Sequence, residues 1–579
     1  MIKILSKSIR EYKKQTILAP LFVGLEVAME TLIPFVMALL VDNGVYGKNM
    51  TEIYQYGILL VILVIISMTC GILCGKFAAQ ASTGFAKNLR KDMYYRIQKY
   101  SFENIDKFST SSLITRMTTD VTYVQQSFQM LIRITFRAPL NLIFSLIMAF
   151  IINAKISLIF LGLVPVLGIG LYIIATHAHP IFEKVFKTYD KLNNVVQENV
   201  RGIREVKTYV LEEEEKEKFK GVSNSIYKDF VRAEKIIAYN SPLMQLTIYA
   251  GLLLISWFGA KFIVSNTLTT GELMSLITYA MQILMSLMMI SIVFVMLTIS
   301  AASAKRITEV LTEEPSIKNK DNTIKEVKDG SIEFKDVSFS YIGDKNKLCL
   351  SDISFIINSG ETVGIIGGTG SSKTTLIQLI PRLYDATTGE VKVGGVNVKE
   401  YDLETLRNEV AVVLQKNVLF SGTIKENLKW GNSDATDEEI VEACKLAQAD
   451  GFINEFPKKY DTYIEQGGTN VSGGQKQRIC IARALLKKPK VLILDDSTSA
   501  VDTKTDKLIQ VAFKEKIPNI TKIIIAQRID SVKDADKIIV LDNGRINGIG
   551  THEELMLNNE IYKEVYTSQR KGDDINANE

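Results

Sequence analysis

Charge of one sign is scarce in this chain: 68 Lys and Arg face 64 Asp and Glu, a net +4 over 579 residues. So small an excess gives no reason to invoke nucleic acid. Cysteine is sparse too, five residues without metal-ligand spacing. Cys349, Cys444 and Cys480 read as free thiols of a cytosolic domain. Cys70 and Cys74 stand four apart in an apolar stretch, where packing is the simpler reading. A cleavable signal is also missing: the apolar run after "MIKILSKSIREYKKQ" is too long for one and reads as an anchor that stays.

Hydrophobic residues, by contrast, make up 47% of the chain, and the mean hydropathy is +0.13. The length suits two or more domains, and the apolar runs crowd into the first 305 or so residues. A spanning helix needs about 20 mostly apolar residues. Six stretches qualify, at 16–42, 56–80, 134–154, 157–179, 241–263 and 273–300. Connections after the second and fourth spans are long and rich in Lys and Arg, as is the N-terminus, whereas the others are short and nearly free of them. Excess positive charge marks the cytoplasmic side, which puts both ends of this domain in the cytoplasm. Read as helical hairpins, the two long connections project on the order of 35 Å at 1.5 Å per residue. Their tips fall near 102–121 and 196–219. The acidic run Glu212–Glu215, with Lys216 and Lys218 four residues on from two of its members, reads as a solvated helix face.

Inside the spans, Glu26 and Glu30 share a face, and intramembrane carboxylates are costly. A cation-recognising role and helix–helix hydrogen bonding are both open at this point. Met281, Met285 and Met288 form a soft stripe for which packing is the simpler account. His177 and His179 are two apart on a helix and point to different faces, which disfavours a shared metal.

After the charged stretch 312–330 the texture changes. "SIEFKDVSFSY" alternates like a half-buried strand, and "ETVGIIG" is an apolar strand feeding "GGTGSSKTT" (367–375) and an apolar helix. Strand, glycine loop and helix in that order are the setting of a phosphate-binding loop. Backbone N–H groups of Gly367, Gly368, Thr369, Gly370, Ser371 and Ser372 and the helix start cradle phosphates. Lys373 supplies positive charge, and the hydroxyl of Thr374, next to Thr375, can ligate Mg²⁺. "VLILDDSTSAVD" (491–502) is an apolar strand ending in two carboxylates, of which Asp495 suits the Mg²⁺ shell.

Between these lies "VSGGQKQRICIARALLKKP" (471–489), and with it the chain resembles the ATP-binding-cassette (ABC) transporters. The resemblance covers nearly the whole sequence. It implies that Tyr341 stacks on adenine and that Gln415 belongs to the loop that touches Mg²⁺. It further implies that Ser472, Gly473, Gly474 and Gln475 form the signature, that Asp502 speaks across the dimer, and that Gln527 occupies the switch position. Six spans before one cassette are similar to the exporter branch, in which two cassettes sandwich two ATPs between the phosphate loop of one chain and the signature of the other.

Three departures from the family pattern fall together. Ser372 stands where the loop has glycine, and a left-handed backbone there costs about 1–2 kcal/mol. Asp496 stands where a glutamate polarises the attacking water, and one methylene fewer draws the carboxylate back by about 1.5 Å. Gln527 stands for a histidine, and an amide does not ionise. The signature keeps its pattern. The chain is similar to the degenerate-site subunit of bacterial heterodimeric multidrug exporters.

The expectation is an α-helical six-span transmembrane domain (1–311) with long cytoplasmic extensions, a linker (312–330), an α/β P-loop ATP-binding domain (331–570) and a polar tail (571–579). The implied cofactors are ATP and Mg²⁺. The implied partners are a sister half-transporter, the lipid bilayer of a bacterial plasma membrane and a small hydrophobic or amphipathic substrate, not nucleic acid. The rival expectations are a slow homodimeric exporter and a membrane-bound ATP-sensing regulatory subunit.

Overall fold

Long apolar helices dominate the first half of the computed structural model, which describes residues 1–497 and 500–576, except for the side chains of 179, 183, 186, 187, 190, 294, 295, 298 and 299 and those beyond Arg570. Helices α1 (Lys13–Leu39) and α2 (Met50–Ile97) are followed by two short ones, α3 (Phe102–Phe108) and α4 (Thr110–Thr115). Then come α5 (Val121–Ile152), α6 (Ala154–Arg201), the short α7 (Ile203–Thr208), α8 (Glu212–Ala238), α9 (Asn240–Val264) and α10 (Thr270–Thr312). Among the described residues six helical stretches are long and apolar enough to cross a bilayer. With 48 residues, α2 is about 72 Å long at 1.5 Å per residue. That is more than twice a hydrocarbon core of about 30 Å, so one continuous helix serves as both span and extension. The turns are written locally. Asn153 caps α6 by accepting from the N–H groups of Lys155 and Ile156, and Thr269 and Glu272 form a reciprocal capping box on α10.

By contact the chain divides into two compact units: Met1–Lys99 with Ser109–Glu313, and Tyr100–Phe108 with the residues from Glu314 on. Helix α3, which the sequence assigned to the first domain, thus groups with the second.

In the first unit α5 carries a polar seam. Arg137 donates to Glu26 at 2.6 Å and to both oxygens of Glu30 at 2.8 Å. Asn141 donates to Ser286 at 3.0 Å and Ser145 to Gln282 at 2.8 Å. Positions 137, 141 and 145 recur every four residues and share one face. Glu26 and Glu30 are therefore paired across helices with a cation that the sequence reading passed over, which is how intramembrane charge is tolerated. On α10, Met281 and Met285 remain exposed, at 40% and 47%. His177 bonds the carbonyl of Ile173 in its own helix at 2.8 Å, and the side chain of His179 lies outside the described ones.

A π-turn at Arg116–Asp120 leads into α5 and is clamped to the end of α10. Arg116 donates to the Arg306 carbonyl at 2.8 Å and to Glu309 at 3.0 Å. Arg306 and Ser303 in turn both donate to Asp120. In the acidic run, Glu213 and Glu215 take Lys216 and Lys218 at a spacing of three rather than four. As exposed pairs these contribute little.

The second unit is built on a six-stranded sheet ordered β12-β11-β3-β10-β9-β6. Its members are β3 (Thr362–Gly367), β6 (Val410–Val413), β9 (Val491–Asp495), β10 (Thr521–Ile525), β11 (Lys537–Asp542) and β12 (Arg545–Gly550). All but β12 run parallel. Strands β9 and β10 are buried along their whole length, as parallel strands covered on both faces must be. A second sheet, of β1 (Ile332–Phe339), β2 (Leu350–Ile357), β4 (Thr388–Val393) and β5 (Val396–Asn397) in the order β2-β1-β4-β5, is antiparallel. It packs Phe334, Phe339 and Phe355 into one core with Val363 and Ile365 of β3. Of the expected polar tail, 571–579, the last three residues lie outside the described ones.

Candidate functional site

Parallel strands end together, so whatever follows β3, β9 and β10 meets at one edge of the sheet. The loop Gly368–Ser372 follows β3 and opens helix α11 (Lys373–Gln378); Asp496 follows β9, and Gln527 lies two residues beyond β10. The phosphate-loop lysine, both carboxylates and the glutamine at 527 therefore come together.

Lys373 Nζ turns back to donate to the carbonyls of Gly367 and Gly368, each at 2.8 Å, and to Ser371 Oγ at 3.3 Å. Burial holds its pKa below the usual ammonium range, against the opposing pull of Asp495 and Asp496. Thr374 Oγ1 donates to Asp495 at 2.9 and 3.2 Å. The Asp495 carboxyl is pushed up by burial, with the Thr374 bond pulling the other way and Asp496 adding to the rise. A hydroxyl and a carboxylate are hard oxygen donors of the kind Mg²⁺ takes, and residues 374 and 495 already touch. Thr375 is buried and joins Tyr341 Oη at 3.0 Å. Tyr341, 41% exposed, is thus pinned to α11 while its ring stands edge-on to Phe339 and Tyr384.

The three departures behave differently from one another. Ser372 has φ +69° and ψ +26°, the left-handed conformation. An L-residue held in that conformation costs about 1–2 kcal/mol, and a side chain at this point of the loop also crowds the ligand. Asp496 and Gln527 form a pair: Gln527 Nε2 donates to Asp496 Oδ2 at 2.7 Å, and Gln415 Nε2 approaches the same oxygen at 3.3 Å. The carboxylate is 7% exposed and has two amides on it. Their spacing along the chain carries no hint that two of the departures touch.

The signature lies on another edge of the same unit. Ser472 is the N-cap of helix α12 (Gly473–Leu485). Its Oγ accepts from Gln475 N at 3.2 Å while Gln475 Oε1 accepts from Ser472 N at 2.9 Å, a complete capping box. The Ser472 hydroxyl proton is not used in that box. A Cβ on Gly474 would come within 2.8 Å of the Ala500 carbonyl oxygen, so only glycine fits there. Asp502 caps helix α13 (Thr503–Lys516), and the N–H of Thr505 holds its carboxyl below the usual range. Among the described residues no hydrogen bond joins Ser472, Gly473, Gly474 or Gln475 to residues 367–375.

Two residues near the site went unnoticed in the sequence. Tyr384 donates to Asp106 of α3 at 2.6 Å and stacks edgewise on Tyr341. Gln569, near the C-terminus, bonds the backbone on both sides of residue 528. Each is remote in sequence from the group it serves, so local motifs do not reveal it.

Comparison with known proteins agrees with the resemblance. The family described as "ABC transporter transmembrane region" matches residues 16–287, and the one described as "ABC transporter" matches 350–499. An uncharacterized ABC transporter ATP-binding protein of Bacillus subtilis, YfiB, is 36% identical over 94% of each chain. An uncharacterized ABC transporter ATP-binding protein of Mycobacterium tuberculosis is 33% identical over 98% of each. A putative multidrug export ATP-binding/permease protein of B. subtilis, YgaD, is 31% identical over 97% of this chain and 98% of its own.

Proposed function

The chain belongs to the ABC transporters, and from that premise we propose that it is one half of a heterodimeric exporter whose own nucleotide site holds ATP more than it hydrolyses it. A six-helix membrane region and an ATPase cassette in one polypeptide make it an ATP-driven transport protein of the exporter type. The proposal concerns how its two nucleotide-facing edges divide the work.

The observation that carries the reading is the hydrogen bond of 2.7 Å from Gln527 to Asp496. The carboxylate at the general-base position is shorter than glutamate by one methylene and is engaged by amides. A misplacement near 1 Å costs about a hundredfold, and loss of a general base about 10²–10⁴. The switch residue beside it has no proton to exchange at neutral pH. The signature, with its capping box and a spare hydroxyl proton on Ser472, is fit to stabilise the γ-phosphate of an ATP held by another chain. Two copies of this chain would pair two blunted sites. A sister bringing glutamate and histidine would complete one good site with this chain's Ser472.

In that assembly Lys373, Thr374 and Asp495 hold Mg·ATP behind Tyr341, and Mg²⁺ offsets phosphate charge when bound. The site acts as a clamp while the composite site turns over. Hydrophobic or amphipathic compounds are the proposed cargo, a drug-like class in keeping with the putative multidrug export of YgaD. Purifying the chain from its native membrane and identifying what accompanies it is the direct test. The expected companion is a second ABC half-transporter with glutamate after its β9-equivalent aspartate. Brisk ATP turnover and transport by this chain alone would overturn the reading.

A further inference from the structure

We propose that Gln569, on the C-terminal helix, is a positioning residue of the nucleotide site: it fixes the loop that carries Gln527 and so sets how well the site tells ATP from ADP. The inference rests on the functional reading above, and it takes Gln527, at the switch position, to face the terminal phosphate.

Helix α14 (Glu560–Asn576) follows the last strand and a short helix. On it Tyr562, Val565, Tyr566 and Gln569 stand at i, i+3, i+4 and i+7, one face of a helix. The first three belong to or pack on the large core of the second unit. The fourth position of that apolar stripe is a glutamine, which breaks the pattern. Its amide explains why. Oε1 accepts from the backbone N–H of Ile529 at 2.9 Å, and Nε2 donates to the backbone carbonyl of Gln527 at 2.8 Å. One side chain thus pairs with an N–H and a C=O two residues apart, as a neighbouring strand would beyond the end of β10. The N–H requires an acceptor and the carbonyl a donor, so the amide orientation follows from its partners.

The gripped backbone is that of the switch position. From it the Gln527 side chain reaches Asp496 at 2.7 Å, and Asp496 acts on Lys373. The opposite side of the loop is held separately. Ser531 donates to Asp506 at 2.8 Å, and Gln510 donates to the Ser531 carbonyl at 3.1 Å. On the Gln527 side the two Gln569 bonds are shorter than the other contacts of the segment, Ala526 N–H to the Ile365 carbonyl and Arg528 to Thr503 Oγ1, each at 3.4 Å. The helix does not depend on it for docking, because Tyr562 is fully buried and bonds His552 at 2.7 Å.

The test uses the full-length purified chain, chilled, with Mg·ATP and Mg·ADP competing against a fluorescent ATP analogue. Gln569→Met keeps the size and removes both bonds. Gln569→Glu keeps the acceptor for Ile529 but sets a carboxylate against the Gln527 carbonyl. The loss of one or two such bonds should lower the ATP-over-ADP preference about three- to tenfold in Gln569→Met. Gln569→Glu should lose more. ADP affinity and the melting temperature should stay near wild type, and amide exchange at Ile529 should quicken. An unchanged preference in both variants, or equal losses for ATP and ADP, overturns the proposal. If Gln569→Met is poorly folded, Gln569→Glu alone decides by the same criterion. Steady turnover by the unpartnered chain would sink the heterodimer reading while leaving this preference measurable, so the two failures are distinguishable.

Discussion

The phosphate-loop edge and the signature edge of the cassette belong to one unit and face the same kind of ligand, yet they are built to different standards. At the first edge a serine is held at φ +69°, and a shortened carboxylate is tied to an amide. At the second, a capping box is complete and a glycine sits against the Ala500 carbonyl where no side chain fits. Random decay would mark both edges. On the proposed assignment it marks only the groups that act on nucleotide held by this chain and spares those offered to a partner. On that reading a half-transporter is under two separate demands, and the geometry of each edge records which demand it meets.

The comparison breaks most visibly at Ser472. In the complex with the proposed sister chain, Ser472→Gly should cut ATP turnover about 10²–10³-fold. Glycine is a fair N-cap, so stability should fall by only a few tenths of a kcal/mol. In the same complex Asp496→Asn should change turnover by less than about threefold if the proton-accepting step takes place elsewhere. The opposite ranking in a steady-state ATPase assay would reverse the roles of the edges.

Next in size is repair of the blunted edge. Asp496→Glu combined with Gln527→His should raise single-turnover hydrolysis at this chain's own site about a hundredfold. Neither change alone should achieve it, because the two side chains are hydrogen-bonded and act together. The smallest effect is expected at Ser372. Because Ser372 is held in the left-handed region at φ +69°, Ser372→Gly should stabilise the chain by about 1 kcal/mol. A rise of about 2–4 °C in the cassette's melting temperature would report it. A gain seen only with ATP present would place the cost in binding instead.

Much of this was legible in the sequence, for identifiable reasons. The spans follow from apolar runs, which need no knowledge of partners. Residues 367–375 and 491–496 were legible because strand, loop and carboxylates are contiguous. Long-range pairings were not. Arg137 lies 111 residues from Glu26, Tyr384 lies 278 from Asp106, and Gln569 lies 42 from Gln527. Each is an ordinary residue in its own neighbourhood and gains meaning only when the chain folds back. The lysine partners of the acidic run at 212–215 were expected four residues on and are found at three, since both spacings lie within reach on a helix.

Helix α3 is numbered among the membrane helices but grouped with the cassette. Asn104 accepts from the N–H of Ser316 and donates to the carbonyl of Glu314, Ser101 accepts from the N–H of Ile317, and Asp106 receives the Tyr384 hydroxyl. A cassette transplanted from this protein into a relative as residues 314–579 would leave nine of its own residues behind. Chimeras that carry 100–108 along with the cassette should inherit a sound module, and those cut at the obvious boundary should inherit a wound.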